Sequence, residues 1–505
     1  MRHSLPLAAC LFAIGSLLLP DVAAAPPVDA KAIDAAVRRS LEAWQVPGAA
    51  VGIVRDGEVV YLKGHGVREV GGKDAITPDT LFPIASCTKA FTTAAMAILV
   101  DEGKMHWDDP VRKRVPFFHL SDPLADANVT LRDLVCHRTG LAGHDLLWYH
   151  SPWSLEEIVR RAGRLPLDRP FRTTFQYQSA MFMAAGLAAQ SAAGEPWEQF
   201  VQKRLLGPLE MKATVFTSTA ALRSADCASP HRVNGLGQTE VMPRYPMKTP
   251  DPAGSVHSSA RDLCKWLRFH LDEGTVGTRR LVSTKELGQT HTPQTVIGLD
   301  RRARALWPDT VQMSYGMAWV IQDHRGHKLV SHSGAIDGFR AHLTMVPGRR
   351  LGIVVLGNLH HTRMNLALSN TLLDLLLGLP RKDWDGLIRA AMLQGEREEA
   401  EKARARRERR HHGTRPSREA AAYAGDYEHP AYGTAHVSLE RGRLVWRWNN
   451  FGGPLEHFHY DTFVLPLAVL EEPHVVFTLA EDGGVERMKV MGHMNVEFRR
   501  VKRKK

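Results

Sequence analysis

Ser86-Cys87-Thr88-Lys89 sets a hydroxyl and an ammonium three residues apart. On a helix that spacing puts both groups on one face. A serine hydroxyl is a weak nucleophile, but a cation at a helix start favours a developing alkoxide, because charge and helix dipole act in the same sense. The chemistry would be covalent: attack on a carbonyl, then an acyl-serine. Four-residue S-x-x-K matches arise often by chance. Alone, this one reads more readily as a capping serine beside a solvated lysine. Its flanks favour the helix. Pro83 fits a helix N-terminus, and Ala90 to Val100 is apolar, proline-free and long enough to be buried. Cys87 sits about 100° round from Ser86 and reads as packed rather than as a rival nucleophile.

Other elements must hold such a pair. Ile33 to Trp44 reads as an amphipathic helix. Ala49 to Val54 and Glu58 to Gly64, joined through Arg55-Asp56-Gly57, read as a hairpin, since Asp-Gly between apolar runs is a turn signal. Val129 to Cys136, Ser179 to Ala193 and Arg261 to Leu271 read as helices. Lys328 to Ser333, Ala341 to Val346 and Leu351 to Leu356 read as consecutive strands, and Asn365 to Leu377 as a closing helix. Strands at both ends around a helical middle predict an α/β (α+β) unit. Composition shifts at Gly395. Glu396 to Arg410 is nearly all Glu, Arg, Lys and Ala and reads as an exposed connecting helix. Beyond Tyr423, six short alternating runs with turn residues between them predict a small all-β module.

The 505 residues exceed one compact domain, and 44% apolar with 24% charged content is ordinary for a globular chain. The net charge of +11 concentrates in Arg397 to Arg418 and in Arg499 to Lys505. The tail reads first as a frayed, solvated end and second as a contact for anionic wall polymer. Residues 1–25 carry a short basic start, an apolar run and Ala23-Ala24-Ala25, the pattern of a secretory signal. Lipidation at Cys10 ranks second, because the apolar run before it is short. No later segment reaches membrane-spanning length. Cys87, Cys136, Cys227 and Cys264 form no C-x-x-C pair. The histidines at 360–361, 411–412, 457 and 459 lack carboxylate or cysteine partners at ligand spacing, so neither metal nor cofactor is expected. There is no G-x-S-x-G, H-E-x-x-H or phosphate loop, and no nucleic-acid partner is predicted.

Several segments resemble, in order, the beta-lactamase-related serine hydrolases, the group of class C beta-lactamases, D-aminopeptidases, DD-peptidases and related esterases. Leu81 to Lys89 resembles the family's nucleophile helix, and Glu102 to Val111 its following turn. Val129 to Leu141 resembles its "TLRDLLxHTSGL" segment. Pro252-Ala253-Gly254-Ser255 with Ser259 to Leu263 resembles another block. Tyr177-Gln178-Ser179 stands where the family carries Tyr-x-Asn, and His332-Ser333-Gly334 where it carries His-x-Gly or Lys-Thr-Gly on a sheet-edge strand. The match spans about Asp29 to Leu379. The resemblance implies Ser86 as nucleophile, Lys89 and Tyr177 as the groups that manage its proton, and the backbone N–H groups of Ser86 and Ala335 as oxyanion donors. Taken alone, Tyr177 reads more readily as a core aromatic and His332 as a hydrogen-bonded strand histidine. Within the resemblance, Ser179, His332, Ser333 and Gly334 become substrate-binding positions. His332 would steer a substrate carboxylate or shape the pocket, and Gly334 would let substrate lie close to the strand. Ser179 departs from the family's asparagine. Its hydroxyl both donates and accepts but reaches less far, which implies altered specificity or a reduced rate.

The resulting expectation is a beta-lactamase/transpeptidase-like sheet flanked by helices, with an all-helical region and an appended β barrel-like domain. Domains are expected at 1–25 (signal), 29–385 (hydrolase), 386–418 (charged helical linker) and 419–505 (β domain). The expected function is an exported, periplasmic or secreted serine hydrolase acting on small amides or esters through a Ser86 acyl-enzyme. D-amino-acid peptides, esters and β-lactam-like compounds are the candidate substrates. The alternative is a non-catalytic, penicillin-binding-protein-like peptide-binding scaffold.

Overall fold

A computed structural model of the chain describes residues 27–467, 470–492 and 494–501. The leader read at 1–25 and Lys502 to Lys505 of the basic tail lie outside the described residues.

The first unit is built on an eight-stranded sheet. Its strands, in chain order, are β1 (Gly48–Arg55), β2 (Glu58–Gly66), β3 (Thr295–Ile297), β4 (Met313–Tyr315), β5 (Val320–His324), β6 (His327–Ile336), β7 (Phe339–Val346) and β8 (Leu351–Gly357). In space they run β2-β1-β8-β7-β6-β5-β4-β3, antiparallel throughout. The β1–β2 turn forms where the sequence predicts it. Asp56 and Gly57 both take positive φ, 52° and 84°, as a tight two-residue hairpin requires. Every residue of β8 is buried, because helices cover both faces. Helices α1 (Ala30–Trp44) and α6 (Met364–Leu377) cover one face, with Ile33, Val37, Leu368 and Leu372 meeting Val51, Ile53 and Val355. Helix α5 (Ala260–Leu271) covers the other, where Leu267 lies against Gly352.

The helical region enters the chain between β2 and β3. At its centre α2 (Thr88–Asp101) is buried on all sides from Thr88 to Leu99. A helix apolar all round belongs inside a core, and Phe91 stacks on Trp266 at 4.0 Å. Around it stand α3 (Leu131–Val135), closed by a Thr130/Asp133 capping box, and α4 (Ser179–Ala193).

Three readings of the sequence need correction. Pro83 does not open a helix. It lies in a two-residue strand, Phe82–Pro83, paired with His257–Ser258, and a short turn, Ala85–Cys87, comes before α2. The connecting helix α7 spans Trp384–Glu408 and so starts well before Glu396. Its first turns carry Trp384 and Ile388, four residues apart on one face, and bury them against Leu306, Leu366 and Ala367. The basic tail is not frayed at its start: Arg499 and Arg500 belong to strand Val496–Arg500, and Arg500 donates to the carbonyls of Ala422 and Ala424.

The second unit is one antiparallel sheet of nine strands between Gly425 and Arg500, coiled into a nearly closed barrel. Three of its strands, Gly425–His429, Phe451–Pro454 and Glu456–His459, were not among the predicted runs. Its interior, from Tyr423 through Trp446 and Trp448 to Phe498, joins the apolar core around α2 in one cluster. No helix among the described residues is long and apolar enough to cross a membrane.

Candidate active site

Ser86 lies in the turn before α2, where the backbone is constrained. Ala85 takes φ 45°, in the left-handed region that residues with a β-carbon avoid. Such strain persists only where surroundings over-determine it, and here three contacts do. The Ile84 N–H donates to the Val256 carbonyl at 2.9 Å. The Cys87 thiol donates to the His332 carbonyl of β6 at 3.4 Å. Gly334 of β6 lies so close that a β-carbon there would overlap the Ile84 carbonyl oxygen. The nucleophile turn is thus wedged between β6 and residues 251–256. Burial pushes the Cys87 thiol well up, so its sulfur stays protonated and packed.

Lys89 is wholly buried, and the solvated-lysine reading fails. Its Nζ donates to Ser86 Oγ at 3.1 Å and to the Ala253 carbonyl at 2.8 Å. The same nitrogen lies 5.0 Å from the centre of the Tyr177 ring and 5.5 Å from that of Phe182. A buried ammonium is costly unless hydrogen-bonded; two acceptors and two aromatic faces supply that compensation. Thr92 Oγ1 donates to the Pro252 carbonyl at 2.7 Å, and Pro252 presses on Gly186 of α4. Residues 251–256 therefore lie between α2 and α4 and present the Ala253 carbonyl to the lysine.

Tyr177 comes just before α4. Gln178 caps that helix: its Oε1 accepts from the Ala180 N–H at 2.9 Å, and its Nε2 donates to the Ala142 carbonyl. The Gln178 N–H in turn donates to His137 Nδ1 at 3.1 Å. The His137 ring is fully buried, 4.2 Å from that of Tyr177, among Phe175, Phe182 and Tyr315. Burial, with Lys89 nearby, drives its pKa well below the usual range. It is a neutral ring holding the backbone on which Tyr177 sits. Ser179 is the buried first residue of α4.

On the opposite side, β5 pairs with β6 only as far as Ser331, leaving His332 to Ile336 without a β5 partner. Ser333 and Ala335 are exposed along this stretch. His332 is buried with both ring nitrogens engaged, Nε2 with the Tyr315 hydroxyl at 3.0 Å and Nδ1 with the Ser333 carbonyl at 2.7 Å. Burial, then Lys89, lowers its pKa to about 3. A neutral ring with no free nitrogen does not steer a substrate carboxylate; of the two roles expected for His332, shaping the wall is the one this geometry allows.

The structure brings Ser86, Lys89, Tyr177, His332 and Gly334 to one place. Sequence reasoning gave no role to Ala253, His137 or Tyr315. Ala253 and His137 lay inside segments already singled out, and their positions in those segments were the available signal. Tyr315, in a three-residue strand, carried none. Among the described residues no three His, Cys, Asp or Glu side chains gather as metal ligands, and Cys87, Cys136, Cys227 and Cys264 are free thiols.

Comparison with known proteins agrees with this fold. The beta-lactamase family matches residues 33–377, and the chain belongs to that family. A domain of unknown function, DUF3471, matches residues 409–504. The unguisins hydrolase ungD of Aspergillus violaceofuscus is 28% identical over 82% of this chain and 78% of its own length. A second such hydrolase, ungD' of Aspergillus campestris, is 29% identical over 64% of this chain and 60% of its own. Protein flp of Staphylococcus aureus is 28% identical over 65% of this chain and 63% of its own. The alignments to these last two thus span under two thirds of the relatives' lengths. Among solved structures, the octameric penicillin-binding protein homologue from Pyrococcus abyssi superposes with a TM-score of 0.61 at 21% identity, covering 94% of this chain and all of that one. A D-stereospecific amidohydrolase from Streptomyces superposes with a TM-score of 0.55 at 20% identity, over 70% of this chain. These likenesses establish the beta-lactamase/transpeptidase fold.

Proposed function

We propose that this member of the beta-lactamase family is a serine hydrolase that cleaves small amides or esters through an acyl-enzyme on Ser86. The observation that carries the reading is the buried Lys89 ammonium, bonded to Ser86 Oγ at 3.1 Å and facing the Tyr177 ring. Family members are typically serine hydrolases, and relatives named as hydrolases support the reading. In the proposed reaction, Ser86 Oγ gives its proton to the Lys89–Tyr177 pair as it bonds to the substrate carbonyl carbon. The backbone N–H groups of Ser86 and Ala335 receive the oxyanion. The carbonyl re-forms, and the leaving amine or alcohol departs with the proton. Water then attacks the ester, its proton returning through the same pair to Ser86 Oγ. Ser333 and Gly334 would line the substrate, with Ser179 beside Tyr177. D-amino-acid peptides are a natural substrate class to test, given the D-stereospecific amidohydrolase among the structural neighbours. The leader pattern at residues 1–25 supports export.

Ser179 in place of the family's asparagine favours the second reading, a peptide-binding cleft without turnover. The two separate on one experiment. A fluorophosphonate should phosphonylate Ser86 in the full chain and not in Ser86→Ala, and activated esters should turn over. No adduct and no ester hydrolysis would leave the scaffold.

A further inference from the structure

Beyond Ala335 a cavity of about 440 Å³ opens between the end of β6 and the loop 143–153, with Trp148, Tyr149, Ile336, Arg340 and His360 among its walls. That volume suits a bulky organic group. It borders the proposed oxyanion donor, so what fills it lies beside the reacting carbonyl. Its outer wall is not held by the hydrolase unit alone. The loop takes positive φ at His144 (44°) and His150 (50°), conformations that strain residues with a β-carbon. The C-terminal barrel grips both points. The Tyr432 hydroxyl bonds His144 Nδ1 at 2.9 Å, and Asn450 Nδ2 donates to the His150 carbonyl at 2.7 Å.

A stack of three rings completes the grip. Phe451 of the barrel lies over Tyr149 with centres 6.5 Å apart, and Tyr149 lies over Tyr245 at 5.2 Å, nearly parallel. The Tyr149 hydroxyl then donates to Asp337 Oδ2 at 2.7 Å, two residues past Ala335. A continuous line of contacts therefore runs from the barrel to the end of β6.

We propose that the C-terminal β domain is the specificity element of this enzyme. Through Phe451, Asn450 and Tyr432 it sets the shape of the cavity beyond Ala335, which receives a bulky, preferably aromatic, substituent of the substrate. This rests on the hydrolase reading above. The barrel residues are positioning residues: they touch the loop that forms the wall, and none of the three lines the cavity itself.

The test uses the full chain, p-nitrophenyl acetate against p-nitrophenyl phenylacetate, and phenyl acetate against 2-naphthyl acetate. The ratio of kcat/KM within each pair is the readout. Phe451→Ala should lower the larger ester's kcat/KM roughly tenfold, mainly through KM, while p-nitrophenyl acetate and phenyl acetate stay within about twofold. Phe451→Tyr, which keeps the ring, should restore the ratio. Tyr432→Phe, which removes only a hydroxyl, should shift it the same way by roughly threefold, and it carries the test if Phe451→Ala does not fold. Unchanged ratios in folded variants, or equal losses for small and large esters, would overturn the proposal while leaving the hydrolase intact. An unaltered chain that turns over no ester would instead overturn the hydrolase reading, and this inference with it.

Discussion

The two walls of the cleft are held in different ways. The nucleophile wall is fixed from within its own unit: Ala85 is strained, yet β6, the carbonyls of Pro252 and Ala253, and the Cys87–His332 contact surround it. The wall beyond Ala335 is strained at His144 and His150, and a separate barrel bonds both points, with Tyr245 of the hydrolase unit also holding His150. Strain held by a unit's own core is hard to alter without unfolding it. Strain held by a neighbour can be adjusted at the interface. On this account the chemistry is built into the hydrolase unit, and the selection of substrate is delegated to the junction.

The sharpest way to break the contrast is at the inner wall. Lys89→Ala should reduce ester turnover by roughly a thousandfold, and Lys89→Arg should not rescue it, because the site is closed and the larger guanidinium cannot occupy it. Steady-state kinetics with p-nitrophenyl acetate reads both. Gly334→Ala should come next. Its methyl must push β6 off the Ile84 carbonyl, separating the proposed oxyanion donors, with turnover falling about a hundredfold and stability by roughly 1–3 kcal/mol. Denaturant unfolding alongside kinetics would show whether rate falls further than folding explains.

Acid should also discriminate. His332 is held at about 3, and His257 and His342 at about 4, each chiefly by burial. Their folded pKa values lie below the unfolded value of about 6.5. The unfolded chain therefore binds protons that the folded chain refuses. The stability these rings contribute is complete above about pH 6.5 and is lost as pH falls to about 4 for His257 and His342 and to about 3 for His332. Melting temperature should fall over that window, and His332→Gln should flatten the slope; a slope unchanged by the substitution would contradict the neutral, buried ring. The smallest effect expected is at the outer wall. Tyr149→Phe removes one hydrogen bond to Asp337, so stability should change by about 1 kcal/mol, with phosphonylation of Ser86 unaffected and the ratios of large to small esters shifted.

The same contrast governs what the sequence made legible. Local signals carried far: Asp56-Gly57 forms its hairpin, Ser179–Ala193 is the predicted helix, and the strands about His332 and Leu351 fall as the apolar runs require. The candidate residues Ser86, Lys89 and Tyr177 were legible because their neighbours in sequence carry a recurrent pattern. Contacts between distant segments were not. Pro83 reads locally as a helix start, and only its pairing with His257–Ser258 makes it a strand. The start of α7 at Trp384 depends on Leu306 and Leu366, which no local window contains. The loop 143–153 has no periodicity. Tyr432, Asn450 and Phe451, some 300 positions away, are among the groups that bond and stack against it.

The most direct measurement is the mass of the intact chain after reaction with a fluorophosphonate, followed by peptide mapping. A single adduct on Ser86 is expected, lost in Ser86→Ala and strongly slowed in Lys89→Ala. An unmodified Ser86 in a folded protein, or an adduct that forms equally fast without Lys89, would contradict this expectation.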